Sequence, residues 1–358
     1  MRPKEYRIKE LLREKGLDGA IVSSPENFHY VTGFGGHQHT VSRQPGFTLA
    51  VMRADDKVPT HLTTMDFEAA TFRIKAAGLN FVVDPYDTWV GLKTWDEIAH
   101  GAVVPDKTAM ESSMDKLVQF MKACDLANKK VGVELDYLPV PYYKSLTEKF
   151  PEAEFVDISD LFVYARSVKQ PDEIEMFRNL CRIADHGFTE VSKIAKIGVS
   201  ERELSQCFRE DVIKSGFCAP SSWSMFSTGP SSARLTLPGD GVVKDGDVVK
   251  FDAGVNAEFD FYTTDTSRAW IIGNGDPALL KLKDRLYEGQ RRMIAAAKPG
   301  LPINELYHTA YDYVKEMFPC YRRGHQGHSI SMGPATAEAP YINASETRPL
   351  EAGMILAM

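Results

Sequence analysis

Two aspartates in one short stretch of the chain have a spacing that suits metal chemistry. Asp252 ends the apolar run 247–252, and Asp265 follows 13 residues later. A hairpin can bring two such carboxylates to the same place from adjacent strands. Oxygen and nitrogen ligands of this kind suit Mn, Co, Fe or Zn better than a soft thiolate site does. Because aspartate is also a common turn former, solvated or turn-capping carboxylates are the alternative interpretation.

Histidines between glycines form the second candidate feature. His325 and His328 lie within residues 324–328, where glycine allows close approach of the backbone. A lone histidine there would be interpreted as a hydrogen-bonded loop residue, but together with the two aspartates the pair favours a metal site. His37 and His39 could also bind metal, although a surface loop is the favoured interpretation of that segment.

The elements that must position these residues lie in the second part of the chain. A boundary is predicted near residues 166–171, and a long helix begins just after it, with carboxylates in its first turn. Further helices are predicted at about 201–215, 277–297 and 303–317, and strands at 247–252 and 263–272. Helices combined with antiparallel strands indicate an α+β domain.

The first 165 residues show a different pattern, in which short helices alternate with short strands. A helical stripe covers residues 6–15, and strands are predicted at 18–22, 47–52, 81–83 and 130–134. This alternation indicates a small α/β domain with a largely parallel or mixed sheet.

Composition excludes several classes of protein. Of the 358 residues, 43% are hydrophobic and 25% are charged, which excludes global disorder. The net charge of −7 argues against a dominant nucleic-acid surface, and the apolar runs are too short for a membrane span. The N-terminus has no apolar signal segment, and the five cysteines include no CxxC pair, so a reduced, cytoplasmic protein is expected.

Taken together, the motifs resemble the pita-bread family of Xaa-Pro peptidases, prolidase, methionine aminopeptidase and creatinase. The resemblance covers nearly the whole chain and implies a creatinase-type N-terminal domain at residues 1–165 and a pita-bread catalytic domain at 171–358. The segments that carry it are residues 16–20, 24–27, 30–34, 166–169, 246–249, 252–254, 262–268, 327–328, 338–342 and 350–354.

The resemblance also implies a ligand set. Enzymes of the family hold two divalent ions with two aspartates, one histidine and two glutamates, and the matching residues here are Asp252, Asp265 and His328. The two glutamates would follow Met358, so the resemblance implies a catalytic domain truncated at its C-terminus. Mn, Co, Fe and Zn all accept this ligand set.

Departures from the family pattern affect the expected catalytic groups. Thr236 occupies a position where the peptidases usually have a histidine, and a second family histidine is absent from residues 334–338. His325 is therefore the candidate for proton transfer, and Thr236 and Tyr262 are candidates for substrate contact. Asp260 is a reserve metal ligand, because the segment between the two aspartates is slightly longer than usual.

The function implied is a metal-dependent hydrolase that cleaves short peptides with proline in the second position. A pocket can select proline by shape, because its ring fixes φ and removes the N–H. One alternative is a creatinase-like, non-peptidase hydrolase or lyase of a small nitrogenous or zwitterionic metabolite, with or without metal. Another is an inactive binding protein. Family members are commonly homodimers in which the N-terminal domain helps to close the partner's active site. The loop around His37 and His39 is the candidate for that part here, and both histidines are candidates for substrate binding.

Overall fold

Two units divide the chain between Ala165 and Arg166. They are seen in a computed structural model that describes residues 3–88, 93–102, 112–216, 218–257, 260–330, 332–333 and 336–358. None of the helices in these ranges is long and apolar enough to cross a membrane.

The first unit contains a six-stranded sheet in the order β4-β3-β2-β1-β5-β6. Its strands are β1 Gly19–Val22, β2 Leu49–Arg53, β3 Thr60–Thr63, β4 Phe81–Val83, β5 Lys130–Val133 and β6 Glu154–Asp157. Its helices are α1 Glu5–Glu14, α2 Pro25–Thr32, α3 His37–Ser42, α4 Ala69–Ala76, α5 Trp95–Ala99, α6 Ser113–Ala123, α7 Val140–Lys149 and α8 Ser159–Ser167, the last of which runs two residues past the division. Strand β1 is antiparallel to β2 and parallel to β5, so the predicted mixed α/β sheet is confirmed.

The central strands of this sheet are buried because their side chains, apart from Arg53 at the end of β2, are apolar on both faces. All four residues of β1 and all five of β2 are buried. Ile21 and Val51 pack in one core with Leu117 and Phe120 of α6. Burying such side chains contributes about 1.5–3 kcal/mol each, so this core contributes substantially to the unit's stability.

In the residues that the structure describes, the second unit contains three small antiparallel sheets and four α-helices. The sheets have the orders β10-β7, β11-β9-β8 and β13-β12-β14. The strands are β7 Cys218–Pro220, β8 Met225–Thr228, β9 Val248–Ala253, β10 Val255–Ala257, β11 Thr266–Ile271, β12 His328–Ile330, β13 Ala337–Tyr341 and β14 Leu356–Ala357. The helices are α9 Pro171–Ile194, α10 Glu201–Lys214, α11 Pro277–Ala296 and α12 Ile303–Met317. This is the predicted α+β arrangement.

An aromatic core holds the β11-β9-β8 sheet against α9 and α10. Phe251 of β9 lies 5.0 Å from Phe226 and 6.4 Å from Phe188, measured between ring centroids. Helix α10 approaches α9 closely at Gly187, where a Cβ would lie 2.8 Å from the ring of Phe208. A glycine at this contact lets the two helices meet and fixes one face of β9 against them.

Candidate active site

Strand β9 directs Asp252 away from the aromatic core. Val249, Phe251 and Ala253 are buried, whereas the residues between them are half-buried. Because successive side chains of a strand point to opposite faces, Asp252 lies on the face opposite the core. Burial and the negative charge of Asp265 together raise the pKa of Asp252 to about 6. Two carboxylates therefore share this face, and their repulsion costs free energy when both are ionised.

Asp265 lies immediately before β11 and contacts His328, the first residue of β12. Asp265 Oδ2 is 3.1 Å from His328 Nε2. On the other side of the ring, Nδ1 lies 2.9 Å from the carbonyl oxygen of Ser329. Because a carbonyl can only accept a hydrogen bond, Nδ1 carries a proton, and Nε2 is the nitrogen directed at the carboxylate.

The backbone around His328 is fixed by a close approach between strands. His328 pairs with Tyr341 of β13 on one side and with Ala357 of β14 on the other. The preceding Gly327 has no room for a side chain, since a Cβ there would lie 2.0 Å from the carbonyl oxygen of Ala357. The prediction that glycine in this segment permits close approach of the backbone is confirmed.

A buried ion pair and a buried lysine support the β12-β13 sheet, and both were missed as functional residues in the sequence. Arg166 forms an ion pair with Glu338 of β13, and both side chains are buried. Lys169 donates a hydrogen bond of 2.8 Å to the carbonyl oxygen of Ile330 in β12. Residues 166–169 carry a family resemblance at the domain junction, but nothing in their local pattern indicates that their charges stabilise the strand beginning at His328.

Asp252, Asp265 and His328 supply the oxygen and nitrogen ligands that divalent metal ions prefer, but they surround the candidate site only in part. Asp265 Oδ2 and the directed Nε2 of His328 are both acceptors unless a proton or a cation lies between them. A cation would also offset the burial and the charge of Asp265 that together raise the pKa of Asp252. Within the described ranges, however, no three His, Cys, Asp or Glu side chains converge closely enough to hold an ion. The side chains of Asp265 and His328 are in contact, and Asp252 lies close enough to Asp265 for the charge of one to affect the other. A metal site formed by all three side chains stays a prediction.

Other predicted site residues lie near this pair or in segments beside it. His325 stacks edge-on near His328, with ring centroids 6.0 Å apart, and burial with the charge of Arg323 lowers its pKa. Thr236 is half-buried, and its hydroxyl donates 3.3 Å to the carbonyl of Leu237. Asp260 lies in the turn between β10 and β11. The roles assigned to His325, Thr236 and Asp260 stay predictions.

Tyr262 has a structural position that does not match its predicted contact with substrate. Its side chain is only 1% exposed, and its hydroxyl donates 2.8 Å to Glu173 of α9. Its ring packs edge-on against Phe177, with centroids 5.5 Å apart. The hydroxyl is thus used to satisfy a buried carboxylate, which corrects the sequence-based expectation.

The surface-loop interpretation of residues 37–39 is wrong for His39. Both histidines lie on helix α3, and His39 is 1% exposed, with Nε2 located 2.9 Å from the carbonyl oxygen of Ser23. Burial lowers the pKa of His39 to about 4, so its ring is neutral at pH 7. His37 is exposed. A substrate contact made by this helix stays a prediction for His37, and the burial of His39 does not support one.

Comparison with known families identifies both units. Residues 6–168 match the creatinase/prolidase N-terminal domain, and residues 175–358 match metallopeptidase family M24. The chain therefore belongs to metallopeptidase family M24 and carries a creatinase/prolidase N-terminal domain. The predicted family and the predicted fold of both domains are confirmed. Binding of divalent metal ions is a general property of the peptidases in this family.

Individual relatives are distant. An uncharacterized peptidase, YqhT of Bacillus subtilis, is 24% identical and aligns over 98% of this chain and 88% of its own length. A putative dipeptidase of the same organism, YkvY, is 23% identical over 98% of this chain and 87% of its own.

Solved structures share the fold at similarly low identity. An Xaa-Pro dipeptidase from Bacillus anthracis has a TM-score of 0.78 at 23% identity, covering 98% of this chain and 87% of that one. A prolidase from Pyrococcus furiosus has a TM-score of 0.73 at 22% identity, covering 97% of this chain and 89% of that one. The N-terminal domain of the FACT complex subunit SPT16 from chickpea has a TM-score of 0.69 at 16% identity, covering 98% of this chain and 85% of that one. Because the same fold carries proteins with such different names, it does not by itself define the reaction.

Proposed function

We propose that this chain is a metal-dependent peptidase that cleaves short peptides with proline in the second position. The observation that carries the proposal is the contact between Asp265 and His328 beside Asp252, on the fold of metallopeptidase family M24. Divalent ions bound there would lower the pKa of a coordinated water and polarise the scissile carbonyl.

The chain's own residues would hold the ions and position the peptide. Asp252 and Asp265 supply anionic oxygens, and the carbonyl of Ser329 keeps Nε2 of His328 directed at the ion. The rings of His325 and Tyr341 lie 5.6 Å apart, and the ring of Tyr341 lies 6.3 Å from that of His328. The three rings are inclined to one another by 61–65° and form an aromatic corner beside the candidate ligands, against which the pyrrolidine ring of proline would pack.

A metal-free hydrolase of a small nitrogenous metabolite is the second candidate. The contact between Asp265 and His328 supports it, because without a metal ion a proton on Nε2 would join the two groups and could be donated to a leaving group. Thr236, at the position of a usual family histidine, also favours a reaction that differs from that of the peptidases. The two candidates predict opposite effects of chelation.

The test compares metal binding with hydrolysis in the full chain. Protein freed of metal is titrated with Mn²⁺, Co²⁺ and Zn²⁺ by calorimetry, and Xaa-Pro dipeptides and tripeptides are then assayed with each metal. Asp252→Asn removes a candidate ligand, and Asp284→Asn, on the exposed surface of α11, is the matched control.

Each outcome of this test selects one function. Hydrolysis that requires metal, and that fails in Asp252→Asn alone, supports the peptidase. Hydrolysis of small metabolites after complete chelation supports the metal-free hydrolase. If the chain neither binds metal nor hydrolyses any of these substrates, both candidate functions are contradicted and a binding protein remains.

Location and assembly belong to the same proposal. We place the protein in the cytoplasm as a homodimer, with peptides or small metabolites as substrates and without a nucleic-acid or membrane partner. The five cysteines are all free, which supports a reducing compartment. Sedimentation analysis of the full chain tests the dimer.

A further inference from the structure

A buried carboxylate at the start of α10 contacts a long loop of the second unit. Glu201 is the first residue of α10 and is only 2% exposed. The loop is residues 228–241, which begin at the last residue of β8 and include Thr236. In the part of the chain that the structure describes, Glu201 forms no ion pair with a lysine or an arginine. A carboxylate buried without a cation is costly unless N–H and O–H groups donate to it, and here the loop supplies those groups.

Both ends of the loop are hydrogen-bonded to this one residue. At the first end, the backbone N–H of Thr228 donates 2.9 Å to Oε1 of Glu201, and the hydroxyl of Ser231 donates to the same oxygen. At the other end, the N–H of Gly239 donates 2.7 Å to Oε2. The backbone N–H of Glu201 in turn donates 2.9 Å to the carbonyl oxygen of Gly241. A single side chain therefore holds the two ends of the loop together, as in compact surface loops whose ends lie close to each other.

Capping of α10 does not require the carboxylate of Glu201. The N–H of Glu203 donates 3.2 Å to the hydroxyl oxygen of Ser200, and the N–H of Ser200 donates 2.8 Å to the carboxylate of Glu203. These two bonds complete the capping box of the helix. Glu203 is exposed, whereas Glu201 is buried against the loop. The two glutamates of this turn thus have different roles, and that of Glu201 concerns the loop.

The middle of the loop lies beside the face of β9 that carries Asp252. Lys250 and Asp252 point to the same face, because burial alternates along the strand. Lys250 Nζ donates 2.8 Å to the carbonyl oxygen of Arg234, two residues before Thr236. The loop that Glu201 closes therefore brings Thr236, the predicted substrate contact, to the side of β9 where the candidate metal ligand lies.

We propose that Glu201 is a positioning residue of the candidate active site, which closes the 228–241 loop and thereby holds Thr236 in place for the substrate. This inference rests on the proposed function and deepens it. Glutamine at position 201 would keep the size of the side chain but replace one acceptor oxygen with an NH₂ group that faces a donor. One end of the loop would then lose its partner, and Thr236 would no longer be held.

Limited proteolysis of the full chain measures closure of the loop without any substrate. Trypsin cleaves after Arg234, which is exposed in the middle of the loop. We expect Glu201→Gln to be cleaved there about fivefold faster than wild type, because cleavage requires local opening and one buried acceptor has been lost. Glu203→Gln makes the same change in the same turn of α10 without touching the loop, and should be cleaved at the wild-type rate.

Steady-state kinetics on Xaa-Pro dipeptides test whether closure of the loop serves the substrate. Glu201→Gln and Thr236→Ala should each raise KM about threefold to tenfold with little change in kcat, as expected for loss of a contact that binds substrate. The double variant should have no higher KM than the single variants, because Glu201 acts through Thr236. Glu203→Gln should leave KM unchanged. A purely structural role of Glu201 would lower thermal stability and leave KM as it is.

A second variant covers the case in which Glu201→Gln does not fold. Ser231→Ala removes one donor to Oε1 of Glu201 and leaves the carboxylate in place. It should change the rate of cleavage after Arg234 and the KM in the same directions, by smaller factors.

Each part of the inference has an outcome that overturns it. Equal rates of cleavage after Arg234 in wild type and Glu201→Gln would overturn the closure of the loop. An unchanged KM in Glu201→Gln, or additive effects with Thr236→Ala, would overturn the positioning role. Absence of hydrolysis of any Xaa-Pro peptide would overturn the proposed function, and the positioning of substrate with it, even if Glu201→Gln were cleaved faster by trypsin.

Discussion

Replacing Asp252 with asparagine should stabilise the metal-free protein, and the gain should depend on pH. In the folded chain, burial and the charge of Asp265 raise the pKa of Asp252 from 3.8 to about 6. The folded state therefore holds this proton more tightly than the unfolded state does. As pH rises from about 4 through 6, the free energy of unfolding falls, because ionised Asp252 is tolerated less well in the fold. Asparagine cannot ionise, so the variant escapes this penalty.

The size of the effect follows from the shift in pKa. A difference of about two units, at about 1.4 kcal/mol for each unit, makes Asp252→Asn more stable by about 3 kcal/mol at pH 8. At pH 5 the same linkage leaves about half of that gain, because Asp252 is then largely protonated in the fold but not in the unfolded chain. Added metal should reverse the order at pH 8, since only the wild-type chain keeps both carboxylates.

Urea unfolding in the presence of a chelator measures the difference. Trp270 packs against Phe251 of β9, with ring centroids 4.7 Å apart, so its fluorescence reports on the unit that contains the site. Wild type, Asp252→Asn and the surface control Asp284→Asn are compared at pH 5 and pH 8. If Asp252→Asn were no more stable than wild type at pH 8, or gained equally at both pH values, the conclusion that burial and the charge of Asp265 raise the pKa of Asp252 would be refuted.

Four further substitutions separate structural roles from catalytic ones. Tyr262→Phe should lower the free energy of unfolding by about 1–2 kcal/mol, because the carboxylate of Glu173 loses a buried hydrogen bond. The KM for peptides should stay constant. A raised KM without a loss of stability would contradict this structural role. Gly327→Ala should sharply weaken metal binding measured by calorimetry, because its Cβ has no space beside β14; unchanged affinity would show that this strand contact is not needed. His39→Ala should lower the free energy of unfolding by about 2 kcal/mol, because its ring is buried. His37→Ala should leave thermal unfolding unchanged and should raise KM only if α3 contacts substrate. A loss of stability in His37→Ala and none in His39→Ala would contradict the assignment of His39 as the structural histidine.

Local sequence patterns determined the elements that carry the candidate ligands. The alternation of apolar and polar residues in β9, and the short separation between Asp252 and Asp265, predict two neighbouring antiparallel strands. The pairing of such strands depends on a short stretch of the chain. The structure shortened the predicted strand 263–272 to Thr266–Ile271, because Tyr262 and Thr263 pair elsewhere. Long helices were predicted closely, and α12 has the predicted bounds, since helical periodicity is read over many residues.

Only the tertiary structure decided which of these side chains are available for chemistry. His39 and Tyr262 have polar groups suited to a site, yet neighbours distant in the sequence bury both. Arg166 finds its partner Glu338 at a separation of 172 residues, which no local pattern encodes. A sequence gives the face of an element on which a residue lies, and packing between remote segments decides whether that face meets solvent, a ligand or another buried charge.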